Sequence, residues 1–115
     1  MEDIKKRCFN FSLSIISLIE SVDIKRIYYS LFDQLLRSST SVGANVVEAR
    51  ASHSNKDFIK FYEIALKSAN ECKYWLCLLR DGLKLDIETL NQLIDEANQI
   101  SKIIASIIIK VKQQK

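Results

Sequence analysis

The sequence predicts an all-α fold, an up-down-up-down antiparallel four-helix bundle. Three observations predict it. The chain of 115 residues has no proline and two glycines, against average shares of about 5% and 7%, so its turns are few and its elements long. Apolar residues recur at helical spacing in four separate segments. Short polar links join those segments, and short links between long helices make sequence neighbours antiparallel. An apolar share of 48% is ordinary for a folded chain. The length suits one modest core, so residues 1–115 are read as a single four-helix-bundle domain without repeats, linkers or low-complexity segments.

The first segment is read over residues 2–21. Ile4, Cys8, Phe11, Ile15, Leu18, Ile19 and Val22 share one side, and Phe9, Leu13 and Ile16 make a second apolar line off it. A helix packed on one layer needs one stripe, so the second line is expected to meet something else, such as another subunit. Residues 21–27 connect to the second segment, read over 28–51, whose core stripe is Leu31, Leu35, Val42, Val46 and Ala49. Ser39 and Gly43 lie within its apolar arc, where small residues would let a neighbouring helix approach closely. Otherwise Gly43 simply costs about 1 kcal/mol of helix propensity and marks a kink.

Ser54 is expected to cap the third segment, with Asp57 three residues on. Phe58, Phe61, Tyr62, Ala65, Ala69, Cys72, Leu76 and Leu79 form its core stripe, and Trp75 adds to the aromatic side. On the opposite face Glu63 and Lys67 stand in the favourable i to i+4 order. Gly82 is expected just past the end, at the position where glycine commonly ends a helix. Asp86 is expected to cap the fourth segment, which runs to about residue 112 with Leu90, Leu93, Ala97, Ile100, Ile104, Ile107 and Val111 on one face and Ile109 on the polar side.

Several function classes are poorly supplied. His53 is the one histidine, so a di-metal carboxylate bundle, which needs two Glu-x-x-His pairs, is not expected. Ser52 and Ser54 flank His53, but nothing suggests an oxyanion hole. There is no glycine-rich phosphate loop. No enzyme activity, metal, cofactor or small-molecule substrate is therefore expected. Cys8, Cys72 and Cys77 are scattered and form no CxxC pair, which suits packing thiols in a reducing cytoplasm. The opening stretch is cationic and then apolar, but serines and Asn10 interrupt it, and it is read as a mature helix rather than a signal peptide. No run reaches the roughly 18 apolar residues of a membrane span, and no membrane partner is expected.

Two groups of polar residues stand out. Arg37, Ser41, Asn45 and Glu48 fall along one side of the second segment, and with Glu71 they are read as a structural polar network that sets register in the bundle. The net charge of +3 is mild, but topology concentrates it. In an up-down bundle the 50–56 link lies at the same end as the start of the first segment and the finish of the fourth. Lys5, Lys6, Arg7, Arg50, Lys56, Lys60, Lys110, Lys112 and Lys115 gather there as a candidate contact for an anionic partner such as RNA. Acids concentrate instead between residues 82 and 101, as Asp86, Glu88, Asp95 and Glu96.

The central hairpin, QLLRSSTSVGANVVEA followed by NKDFIKFYEIALKSANE, resembles the small four-helix-bundle family encoded within intervening sequences of bacterial 23S ribosomal RNA genes. Gln34, Leu35 and Arg37, then Ser41, Asn45 and Glu48, then Asp57, Phe58, Phe61, Ala65, Ser68 and Glu71 match the family's pattern. Gly43 stands where the family commonly has proline, and Ala49 where it commonly has glycine. The resemblance implies a homopentameric bacterial bundle without known catalysis and with a proposed link to RNA or the ribosome. A related branch, the accessory proteins of diversity-generating retroelements, is similar to basic pentamers that bind a reverse transcriptase. The mild charge here fits that branch less well.

Overall fold

A computed structural model of the chain describes residues 3–114. Four helices run α1 (Ile4–Ser21), α2 (Tyr29–Arg50), α3 (Asn55–Gly82) and α4 (Ile87–Lys112), with a single 3-10 turn at Arg26–Tyr28 before α2. Each packs on its sequence neighbours, α1 also closes on α4, and the described residues hold no strand. The body measures 49 × 23 × 20 Å. At 1.5 Å per residue the 28-residue α3 spans most of that length. This is the expected antiparallel four-helix bundle.

Local chemistry sets the helix starts. Asp3 accepts a hydrogen bond from the Lys5 amide and caps α1, and Ser54 does the same for α3 through the Asp57 amide. Both satisfy donors that a helix start leaves unpaired. Asp86 takes the cap position of α4, but its carboxylate accepts from the Thr89 hydroxyl instead of from the backbone. Gly82 does not terminate α3 in a left-handed conformation. It is the last helical residue, Leu83 follows in right-handed geometry, and the positive φ of 55° falls on Lys84. The chain reverses two residues later than the glycine suggests.

The core runs through all four helices and is built from Ile15, Leu35, Val46, Tyr62, Ala65, Leu76, Leu90 and Ile104 with their neighbours. Close approach of α1 and α2 is a matter of small residues, as expected. A Cβ on Gly43 would lie 3.3 Å from the Cβ of Cys8, and Ser39 is fully buried with its carbonyl accepting from the Ser12 hydroxyl.

The apolar stripes shift at their ends. On α2 Phe32 is buried and Leu31 is half-buried, and on α4 Ile108 is buried while Ile107 and Val111 are half-buried. A straight helix drifts about 20° per seven residues from a strict heptad line, so a stripe projected from mid-helix moves onto the next residue near the end. Phe58 and Phe61 are likewise half-buried at the start of α3. The expected Glu63–Lys67 pair does not form. Glu63 instead meets Lys112 of α4 at 3.4 Å.

Candidate nucleic-acid interface

The antiparallel order brings four helix ends together: the start of α1, the end of α2, the start of α3 and the end of α4. Lys5, Lys6, Lys56, Lys60 and Lys110 are exposed there and form no ion pair among the described residues. Lys60 sits 6.0 Å from the centroid of the Phe61 ring, a weak cation–π contact at an exposed site. Lys110 and Lys112 occupy the last turn of α4, where the helix dipole favours cations. Lys115 lies outside the described residues.

Three of the expected cations are committed elsewhere, Lys112 being the one paired with Glu63. Arg7 donates from Nε to Glu96 Oε2 at 2.7 Å, and from Nη2 to Glu96 Oε1 at 2.8 Å and to Gln99 at 2.6 Å. This part-buried fork ties α1 to α4 and is shaped as Arg–carboxylate pairs usually are. Arg50 is held by both carboxylate oxygens of Asp3, which ties the end of α2 to the cap of α1. Neither partner is adjacent in sequence, so helical periodicity carries no sign of either pair. The aspartate just before the apolar run is a visible capping signal for α1, and it locates Asp3.

The hydrogen bond from Arg50 holds the Asp3 carboxyl below the usual aspartate range, against a smaller desolvation effect. A depressed folded value means that the pair stabilises the fold fully above about pH 4, the ordinary aspartate value, and that this contribution is lost as the pH falls through the lowered value. Asp3→Asn is therefore expected to be less stable than the parent at neutral pH, with the gap closing below about pH 4 in thermal melts. A gap independent of pH would mean that the pair does not act through charge.

The polar line on α2 divides. Ser41 and Ser68 share a hydrogen bond of 2.9 Å between α2 and α3, and Asn45 Nδ2 donates to the Ser41 carbonyl and hydroxyl at 2.8 and 3.1 Å. Arg37 is exposed and bonds Asp33 on its own helix, while Glu48 and Glu71 are exposed with no partner among the described residues. The polar contact between the two helices is thus the Ser41–Asn45–Ser68 cluster. Arg37, Glu48 and Glu71 stand outside it, on the exposed surface.

Two apolar faces remain uncovered. Phe9 is 64% and Leu13 48% exposed, with Ile16 and Val47 beside them. They line a groove of about 640 Å³ between α1 and α2, floored by Gly43 and Ala44 and rimmed at one end by Lys5 and Lys6. On α3, Ile64, Tyr74 and Leu78 are also exposed and share one helical side. Burial pushes the Cys8 and Cys72 thiols up to about 12, so neither is a nucleophile at neutral pH. Among the described residues no three His, Cys, Asp or Glu side chains converge as a metal site would need, and no helix is long and apolar enough to cross a membrane.

The model of the 23S rRNA-intervening sequence protein family matches residues 2–106. Among solved structures, a protein of unknown function from the S23 ribosomal protein family of Bacteroides thetaiotaomicron is 35% identical. It superposes with a TM-score of 0.85 over 92% of this chain and 98% of that one. Among curated proteins there is no significant match.

Proposed function

Since the chain belongs to the 23S rRNA-intervening sequence protein family, we propose that it acts as a non-enzymatic, homo-oligomeric bundle that binds RNA or ribosomal components through its lysine-bearing end. The observation that carries this reading is the placement of charge. Lysines distant in sequence meet at one end of the bundle, and Lys5, Lys6, Lys56, Lys60 and Lys110 are exposed and outside ion pairs among the described residues. Charge that is exposed and uncompensated is available to phosphate.

Assembly would multiply that contact. The two apolar faces, on α1/α2 and on α3, are different surfaces. A two-fold dimer buries the same patch on both copies, whereas head-to-tail packing of unlike patches gives a ring where the rotation between copies closes. A pentameric ring, as the family resemblance implies, would present five basic ends and bind a long polyanion with high avidity.

The test is binding of the intact protein to structured RNA across a salt series. Affinity is expected to fall steeply with salt, and the slope to become shallower when Lys5, Lys6, Lys56 and Lys110 are replaced by glutamate. Absence of binding at low salt would sink the reading. A second reading, a protein-interaction adaptor such as a reverse-transcriptase accessory subunit, is favoured by one feature: Arg37, Glu48 and Glu71 are exposed and not absorbed into the fold. A neighbouring reverse-transcriptase gene would support it, and a position within a ribosomal RNA operon would oppose it.

A further inference from the structure

We propose that the cleft at the α2–α3 link is a pocket for one unpaired nucleotide of RNA, a specificity element within the basic end. This rests on the RNA-binding reading and adds to it a preference for single-stranded over duplex RNA. The cleft has a volume of about 550 Å³, within the roughly 300–1,000 Å³ typical of small-molecule sites. Arg50, Ser52, His53, Ser54, Asn55 and Phe58 line it.

The aromatic wall is braced. Phe58 stacks on Tyr62 with ring centroids 4.5 Å apart and 21° between planes, and Tyr62 is itself buried. Phe58 is partly exposed and lines the cleft with what Tyr62 leaves uncovered. A fixed aromatic surface of this kind is what an unstacked base packs against. Because every base has a π face, this contact does not select among bases.

The polar wall is uncommitted where it matters. His53 and Asn55 have no hydrogen-bond partner among the described residues, which leaves a ring nitrogen pair and an amide able to donate to and accept from a base edge. Ser52 and Ser54 are in use: the Ser52 hydroxyl donates to the Ala49 carbonyl, and Ser54 Oγ accepts from the Asp57 amide. Asp3 holds the Arg50 guanidinium at the cleft wall, and exposed Lys56 and Lys60 follow at the start of α3. Phosphates flanking an inserted base would meet these two lysines, since the Arg50 charge is already paired with Asp3. A base in a duplex is stacked and paired and cannot enter, so the cleft distinguishes loops, bulges and single strands from helices.

The experiment compares the intact protein's affinity, at one salt concentration, for a single-stranded RNA, a hairpin with an unpaired loop and a blunt duplex of equal length. A free nucleoside monophosphate serves as competitor. The single strand and the loop are expected to bind about tenfold tighter than the duplex, at the lower end of what one base–aromatic stack supplies. Phe58→Ala should abolish that preference and leave duplex binding unchanged. His53→Ala and Asn55→Ala, in exposed positions that do not support the core, should reduce the preference without affecting folding, and Phe58→Tyr should retain it. Equal affinity for duplex and single strand would overturn the pocket while leaving RNA binding intact, as would a Phe58→Ala effect equal on both. Competition by the mononucleotide at concentrations near those of the RNA would overturn it in favour of a free-nucleotide site. No RNA binding at low salt would overturn this proposal together with the broader one.

Discussion

A Leu13→Asp protein is expected to be monomeric at micromolar concentration, where the parent is expected to be a multimer. Leu13 lies near the middle of the α1/α2 groove and is 48% exposed, so the aspartate leaves the core of the single subunit untouched. In the assembly it would place a carboxylate in an apolar contact, at a cost of several kcal/mol for each interface. Every contact in a head-to-tail ring uses the same face, so one substitution weakens all of them. Light scattering measures the outcome, with circular dichroism to show that the helices are retained. RNA affinity should fall with the mass, by at least tenfold if the ends act together. A variant that keeps the parent's mass would remove the α1/α2 face from the assembly and with it the role proposed for Phe9, Leu13 and Ile16.

The second large effect concerns the fold itself. Leu35→Ala is expected to cost about 2–5 kcal/mol, because it removes a fully buried side chain from the middle of the bundle and leaves a cavity that long, well-packed helices cannot close. That is a large part of the roughly 5–15 kcal/mol that holds a domain of this size together. Urea unfolding gives the number, and it should be taken at two protein concentrations because assembly adds to apparent stability by mass action. A loss below about 1 kcal/mol would mean that neighbours refill the space by repacking, contrary to a rigid core.

The helices were the most legible part of the chain. Ile4, Cys8, Phe11, Ile15 and Leu18 on α1, and Tyr62, Ala65, Ala69, Cys72, Leu76 and Leu79 on α3, are buried as their spacing indicates. Helical periodicity is a local property, and local properties are written in order along the sequence. The drift from Leu31 to Phe32 and from Ile107 to Ile108 marks where that reading fails, at helix ends where a small angular error accumulates. Gly82 misled for a related reason. Glycine permits a left-handed turn but does not require one, and the turn settled on Lys84.

The candidate site was legible only as a collection. Topology alone placed the basic residues at one end, since in an up-down bundle the starts of the odd helices and the finishes of the even ones share an end. Which of those cations are available to a partner is another matter. Arg7 is committed to Glu96, 89 residues away, and Arg50 to Asp3, 47 residues away. Both pairs depend on the rotation and height of one helix against another, to within the reach of a side chain. The cleft beside His53 is the same kind of feature, because its walls come from the end of α2, the link and the start of α3, where Phe58 stacks on Tyr62.

By itself, then, the sequence determined four helices, their order, the stripes that bind them and the second apolar line on α1, because each follows from spacing within one segment. The tertiary structure decided the rest: that Ser41, Asn45 and Ser68 form the polar contact while Arg37, Glu48 and Glu71 face outward, that Arg7 and Arg50 brace the fold while Lys5, Lys6, Lys56, Lys60 and Lys110 remain exposed, and that a cleft opens at the hairpin's tip. These are relations between helices, fixed by packing distances of a few ångströms that no periodicity within a single helix encodes.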